Sequence, residues 1–281
     1  MQFDASDPGL KAVDHGVVMH PVFLLGGLEI YAYALFTWLG AASACILALP
    51  GLKRAGMTAI QRRVALILMC ICFLVGARLW NVAVNPVNYM GKFKWYTLKL
   101  AGLSLYGGLI GAVAALILFA KVCRIRILPI LDAMVVPGSV AFCFARIGCF
   151  LNGCCGGKAT NSSFGVIFQD HNTGEQSFSG MLSFLNNRPV HPTQLYELAG
   201  AAIGLLLVLL ICRKIHAEPG SKFMLYAAVF SAVRLFVLPF RVLTYPDVIK
   251  NIRYPALYLA IIVIGVAWTI RRHSFAKAAR R

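Results

Sequence analysis

An arginine with no acid near it along the chain is the first residue that calls for chemistry. Arg146 sits in PGSVAFCFARIGCFLNGCCGG, residues 137–157, an apolar run that ends in a glycine- and cysteine-rich turn. The nearest acids in sequence are Asp132 and Asp170. Asp132 lies 14 residues upstream, about 21 Å along a helix axis. A guanidinium keeps its proton, so Arg146 needs water, a carboxylate from another segment, or an anion. Arg78 and Arg234 also fall inside apolar runs. Insertion scales charge roughly 2.5–3.5 kcal/mol for an arginine at a helix centre. Snorkelling to a helix end, or pairing with Asp132 or Glu197, accounts for such residues structurally. The other match for a planar guanidinium fork is a phosphate, and a phospholipid headgroup drawn among the helices is the natural source.

Three further stretches carry polar groups at the ends of apolar runs. In HPTQLYELAG, 191–200, Pro192 suits a first helical turn. Gln194, Glu197 and Ala201 share a helix face, so Glu197 points inward toward a basic partner. His191 and Glu197 either cap and pair or line a polar cavity. In SLYGGLIG, 104–111, Gly107 and Gly108 remove side chains beside Tyr106 and let a helix or a lipid come close. Gly107 and Gly111 also form the small-xxx-small face of ordinary helix packing. NGCCGGK, 152–158, has too many glycines for a helix, and its exposed amides can cradle an oxyanion.

The cysteines of that turn stay open. Cys149, Cys154 and Cys155 make a C-x4-C-C pattern, which is not a usual zinc spacing. Structural thiols, a Cys149–Cys154 disulfide, a catalytic or redox role and a metal site are the four readings. The other six cysteines, in or at the ends of apolar runs, read as small buried hydrophobes.

The elements that must position these residues follow from composition. Of 281 residues, 59% are hydrophobic and only 13% charged, against about 25% charged in a soluble domain. Apolar runs fall near 29–49, 62–84, 102–121, 129–151, 193–212, 222–241 and 254–270. Each approaches the roughly 20 residues that cross a bilayer. The expectation is an all-α, polytopic membrane protein of about seven transmembrane helices, one bundle over 1–281. The polar segment 152–192 is expected as an extracytoplasmic loop or small cap. The start of the chain lacks a basic stretch followed by an apolar core, so no cleavable signal is expected.

Lysines and arginines concentrate in the first, third and fifth inter-helix loops and in the C-terminal tail. The positive-inside rule then places the N-terminus outside and the C-terminus in the cytoplasm. This placement also explains the net charge of +17 as topology and headgroup contact rather than a nucleic-acid surface. No nucleic-acid partner is expected.

Taken together, these segments resemble the bacterial prolipoprotein diacylglyceryl transferase family. The resemblance covers most of the chain: LEIYAYALF, LYGGLIG, LDAMVVPGSVAFCFARIGCFLNGCCGG, HPTQLYE and VRLFVLPFR. Its most specific parts are HPTQLYE and the core made by Arg146, Gly148, Phe150, Asn152 and Gly153. It implies a multi-pass protein of the bacterial inner membrane that moves the diacylglyceryl group of phosphatidylglycerol to the lipobox cysteine of a preprolipoprotein. Glycerol phosphate leaves, and no cofactor or metal is needed. Arg146 and Arg234 fall on the family's two essential arginines. Tyr33, Asp132, Asn152, Gly153, Gly157, His191, Gln194, Tyr196, Glu197 and Arg241 also fall on motif positions. On this reading Arg146, Arg234, Tyr106 and His191 are catalytic. Tyr33, Gly107, Gly108, Asn152, Gly153, Gly157, Gln194, Tyr196, Glu197 and Arg241 contact substrate. The chain departs from better-known members at four places. Tyr106 replaces a histidine before Gly-Gly, Cys149 an asparagine, Cys154 a glutamate after Asn-Gly, and Leu238 a glutamate. The alternative is a divergent paralogue that lipidates another acceptor or only binds phospholipid.

Overall fold

In the computed structural model the described residues are 16–18, 22–25, 28–84, 104–169, 189–242 and 249–279. Residues 102–103 of the third expected span and 170–188 of the 152–192 loop lie outside them, as do Lys11, Lys92, Lys94, Lys99 and Arg188. Among the described residues, seven helices are long and apolar enough to cross a membrane. They are α1 (Ala32–Arg54), α2 (Ala59–Val84), α3 (Leu105–Val122), α4 (Ile127–Leu151), α5 (Thr193–Lys214), α6 (Ser221–Val237) and α7 (Tyr254–Ala279). A 3-10 turn, Leu238–Phe240, extends α6, and a π turn, Ile249–Arg253, leads into α7. Four short strands accompany them among the described residues: β1 (Gly16–Val18), β2 (Val22–Leu25), β3 (Leu28–Tyr31) and β4 (Ile167–Gln169). β1 pairs in parallel with β4, and β2 pairs antiparallel with β3.

The first span differs from its expected start. LEIY pairs as β3 with β2, in the register Val22 with Tyr31, and the helix begins only at Ala32. An apolar run of four residues satisfies a strand as well as a helix, and the neighbouring VFLL segment decides in favour of the strand.

Residue size is sorted inside out. Alanines 32, 44, 48, 65, 77, 115, 120, 201 and 228 are buried, while Ile46, Ile67, Val122, Ile203, Leu206 and Val263 are exposed. That pattern suits lipid around the outside and close helix contact within, where small residues let backbones approach. α1 packs on α4, α2 on α3, α6 on α7, and α5 bridges α4 and α6. At the α2–α3 crossing a Cβ on Gly107 would fall onto the Gly76 carbonyl oxygen and Trp80 Cβ, and one on Gly111 onto the Cys72 carbonyl oxygen. Gly108 faces the Phe73 ring. Gly107 and Gly108 therefore allow the close approach of α3 to α2. The small-xxx-small face of Gly107 and Gly111 is what permits that approach.

Alternation of the helices gives the molecule two distinct ends. At one lie the α1–α2, α3–α4 and α5–α6 connections, with Lys53, Arg54, Lys121, Arg213 and Lys214 closing the last turns of α1, α3 and α5. A hydrophobic cluster fills this end, including Leu52, Met57, Leu66, Leu116, Ile130 and Leu131. Asp132 belongs here too. Its carboxylate accepts the Gly220 and Phe223 amides at 2.7 and 2.8 Å. It caps the N-terminus of α6 from a neighbouring helix, satisfying donors that a helix cannot satisfy itself. Asp132 is thus a cap rather than the arginine partner that the sequence offered. The opposite end gathers the starts of α1, α3 and α5 and the ends of α4 and α6.

Candidate active site

Glu197 is the centre of that second end. It lies one turn into α5, 1% exposed, on the face shared with Gln194 and Ala201. Its Oε1 accepts hydrogen bonds from Arg234 Nη1 and Arg241 Nη1, each at 2.5 Å. Its Oε2 lies 2.8 Å from Arg146 Nε. The Arg146 N–H is not aimed at that oxygen, so the contact is an ion pair without a formed hydrogen bond. Three arginines from the end of α4, the end of α6 and the segment after the 3-10 turn thus share one carboxylate. Their formal charges leave the cluster at net +2. Arg146 and Arg234 are both buried.

Aromatic groups hold the cations in place. The Arg146 guanidinium lies over the Phe142 ring at 4.8 Å, and Arg234 over the Tyr106 ring at 5.5 Å, both within cation–π range. Arg234 Nε donates to Tyr106 Oη at 3.1 Å. Tyr106 in turn packs between Tyr254 and Tyr258, with ring centroids 5.8 Å away in each case. Sequence reasoning missed Phe142, Tyr254 and Tyr258. The spacing of four between the two tyrosines was the available signal, since it puts both rings on one face of α7. The Tyr106 hydroxyl is thereby a fixed acceptor for Arg234. Changing Tyr106 to Phe is expected to cost about 1–3 kcal/mol of stability, because a buried donor loses its acceptor. Unfolding in detergent micelles measures this; an unchanged midpoint would mean that Arg234 finds another acceptor.

The turn after α4 forms the second wall. Gly153 and Cys155 both have left-handed backbone, with φ of 64° and 63°. The turn is tied to the start of α5 by Gln194 Nε2 donating to the Cys154 carbonyl at 2.7 Å and Thr193 Oγ1 to the Cys155 carbonyl at 2.9 Å. Thr193 joins Phe142, Tyr254 and Tyr258 as a residue of the site that the sequence reading does not assign to it. Gly157 pairs with Arg241 in an isolated bridge, its amide donates to the His191 carbonyl at 2.9 Å, and Lys158 N donates to the Phe240 carbonyl at 2.8 Å. Gly157 thus ties the turn to the strand-like segment that presents Arg241. His191 sits at the rim, its Nδ1 3.3 Å from Tyr196 Oη and its ring 4.9 Å from that of Phe240.

Asn152 Nδ2, Gln194 Oε1 and Arg241 Nε are buried without a hydrogen bond to any of the described residues. Such groups are rare unless something else satisfies them. Arg146 Nη1 also approaches Cys149 Sγ at 3.9 Å. Among the turn cysteines, Cys155 is held well below the ordinary thiol range by hydrogen bonds from Cys149 and Cys154, with Arg146 and Arg241 adding positive field against the effect of burial. Cys154 is pushed up by the same thiol contacts and by burial. Tyr33, on α1, stands within electrostatic reach of Arg146 and all three cysteines. The structure therefore gathers Arg146, Arg234, Arg241, Glu197, Tyr106, Tyr33, Asn152, Gly153, Gly157 and Gln194, with His191 and Tyr196 beside them. Gly107 and Gly108 flank Tyr106 but face α2.

Relatives of known name match most of the chain. A family model described as prolipoprotein diacylglyceryl transferase matches residues 21–271. A protein of Clostridium tetani (strain Massachusetts / E88), named phosphatidylglycerol–prolipoprotein diacylglyceryl transferase, is 30% identical over 220 residues, 78% of this chain and 84% of its own. A protein of that name from Pseudoalteromonas atlantica is 28% identical over 271 residues, 91% of each chain. Another, from Rickettsia bellii, is 32% identical over 179 residues, 61% of this chain and 62% of its own. Since the family model spans the first six membrane-length helices, most of the seventh and the whole arginine cluster, the chain belongs to the prolipoprotein diacylglyceryl transferase family.

Proposed function

We propose that this chain moves the diacylglyceryl group of phosphatidylglycerol to the lipobox cysteine thiol of a preprolipoprotein and releases glycerol phosphate. The observation that carries the reading is the buried cluster at formal +2, three guanidiniums on one carboxylate. Buried charge of that kind needs an anion, and the relatives' names supply one.

The chemistry fits the charge count. The acceptor thiolate attacks the glycerol carbon that bears the phosphate; a C–S bond forms and the C–O bond breaks. The electron pair leaves with the phosphate oxygen. The bound phosphodiester carries one negative charge and the departing phosphomonoester gains a second as the bond breaks. A cluster at +2 binds the growing charge better than the ground state, which is the condition for acceleration. Arg146, Arg234 and Arg241 grip the phosphate. Asn152, Gln194 and the 153–157 turn satisfy the headgroup with the donors and acceptor now unpaired. Tyr106 positions Arg234. His191 has Nδ1 engaged by Tyr196, so Nε2 is the nitrogen left to take the thiol proton.

The site end lies away from the basic loop ends, so by the positive-inside rule it opens on the extracytoplasmic side. The N-terminus is then outside, the C-terminus cytoplasmic, the membrane the bacterial inner membrane, and 152–192 a cap over the one bundle formed by 1–281.

The test is reconstitution with phosphatidylglycerol and a lipobox peptide, followed by mass spectrometry for the diacylglyceryl thioether. Absence of product from a folded preparation that binds phosphatidylglycerol would end the reading. Within this assay Gly157→Ala is expected to lower the rate about 10²-fold, the scale of a 1 Å misplacement. Its Cβ would lie 2.6 Å from both His191 Cβ and the Phe240 carbonyl oxygen, which must push Arg241 off Glu197. A rate within twofold of wild type would show that the turn does not set the arginine.

A further inference from the structure

The three cysteines of the α4 end and the following turn converge. Cys149 Sγ, Cys154 Sγ and Cys155 Sγ all lie within 4.8 Å of one another. Spacing alone argues against a metal site, but the left-handed residues Gly153 and Cys155 double the chain back. A tetrahedral zinc with metal–sulfur bonds of about 2.3 Å wants sulfurs about 3.8 Å apart. Closing the trio onto an ion therefore takes shifts of about 1 Å, within reach of side-chain rotation. The backbone behind it is held by Gln194 and Thr193 on the carbonyls of Cys154 and Cys155. Three thiolates and a zinc dication carry a net −1, and Arg146 Nη1, 3.9 Å from Cys149 Sγ, stands beside it to offset that charge.

We propose that Cys149, Cys154 and Cys155 bind one Zn2+ through three thiolates, and that its open fourth position takes the thiol of the acceptor cysteine. This rests on the transferase reading given above. Three protein ligands with a vacant fourth position is the arrangement of a catalytic rather than a structural zinc. A thiol that coordinates a metal is deprotonated outright, and the proton passes to His191 or to water. The metal-bound thiolate's lone pair attacks the glycerol carbon beside the phosphate held by the arginines. The C–S bond forms, the C–O bond breaks, and its electron pair leaves on the glycerol phosphate. The neutral thioether is a poorer ligand than a thiolate and dissociates, which reopens the fourth position. Zinc undergoes no redox change, so nothing else is consumed.

The test uses the full chain in detergent micelles free of phosphatidylglycerol, reduced and then titrated with Co2+ as the spectroscopic stand-in for Zn2+. The expected result is one equivalent of Co2+ bound with a sulfur-to-cobalt charge-transfer band. The band should grow by about one third when a lipobox peptide adds a fourth thiolate to three, and should not grow with the Cys→Ser peptide. Zn2+ should displace the Co2+. Cys154→Ala and Cys155→Ala should each weaken the band, which assigns it to the trio. A folded chain without the band, a band that survives the Cys154→Ala/Cys155→Ala pair, or a Cys149–Cys154 disulfide that re-forms under the titration conditions would overturn the site. A band blind to the peptide would overturn the acceptor role. Failure of the transferase reading shows separately, as no thioether from wild-type protein whose band does respond to the peptide.

Discussion

Replacing Arg146 with alanine is expected to reduce thioether formation by at least about 10²–10³-fold, the cost of losing one preorganised donor to a developing oxyanion. The loss should fall on kcat more than on KM, since Arg234 and Arg241 still attract the phosphodiester. Lysine should recover only a small part of the rate. It keeps the charge but not the planar fork that lets Arg146 touch Glu197 through Nε and still offer two more nitrogens. Phe142 is shaped for a flat cation above its ring, which lysine also matches less well. Rates for the three proteins at saturating phosphatidylglycerol settle the matter. An alanine variant within tenfold of wild type, in protein with the same unfolding midpoint, would remove Arg146 from the chemistry.

Glu197→Ala is expected to be the most destabilising substitution in the site, at about 3–5 kcal/mol, the usual cost of stripping one partner from buried charges. Without the carboxylate, Arg146, Arg234 and Arg241 face one another with nothing between them. Like charges about 4 Å apart repel by about 4 kcal/mol at an effective dielectric constant of 20. Phosphatidylglycerol or inorganic phosphate in the buffer should restore part of the lost stability, because an anion replaces the missing charge; an uncharged lipid should not. Glu197→Gln should fall between wild type and alanine. The measurement is the unfolding midpoint of each variant with and without anion. An unshifted midpoint for Glu197→Ala would mean that the arginines are neutralised by some other group.

These two expectations also separate what each residue does. Arg146 acts on the anion, so its loss should leave stability close to wild type and strip the rate. Glu197 acts on the arginines, so its loss should lower stability and rate together, with anion restoring the first.

Much of the architecture is legible in the chain itself. Seven apolar runs of membrane length need no tertiary information, because in hydrocarbon every backbone amide must be satisfied inside its own helix. Arg146 and Arg234, inside apolar runs, announce a buried site by cost alone. The three-residue step from Gln194 to Glu197 puts both on one helix face. Local spacing cannot say which distant groups meet. Arg241 lies beyond the sixth helix and is as close to Glu197 as Arg234 is, only because the Leu238–Phe240 turn and the Gly157 bridge bring it back. Asp132 and Glu197 look alike as acids within apolar runs, yet one caps α6 and the other centres the arginines at the opposite end. Leu28–Tyr31 reads as the start of a helix until β2 lies beside it. Cys149, Cys154 and Cys155 have an unpromising spacing, and two left-handed residues draw their sulfurs together. Helix periodicity is a property of neighbours three and four residues apart, so it is written in the sequence. Charge pairing joins residues tens of positions apart, and thiol clustering depends on how the turn after α4 is folded, so only the packed bundle brings these groups within reach.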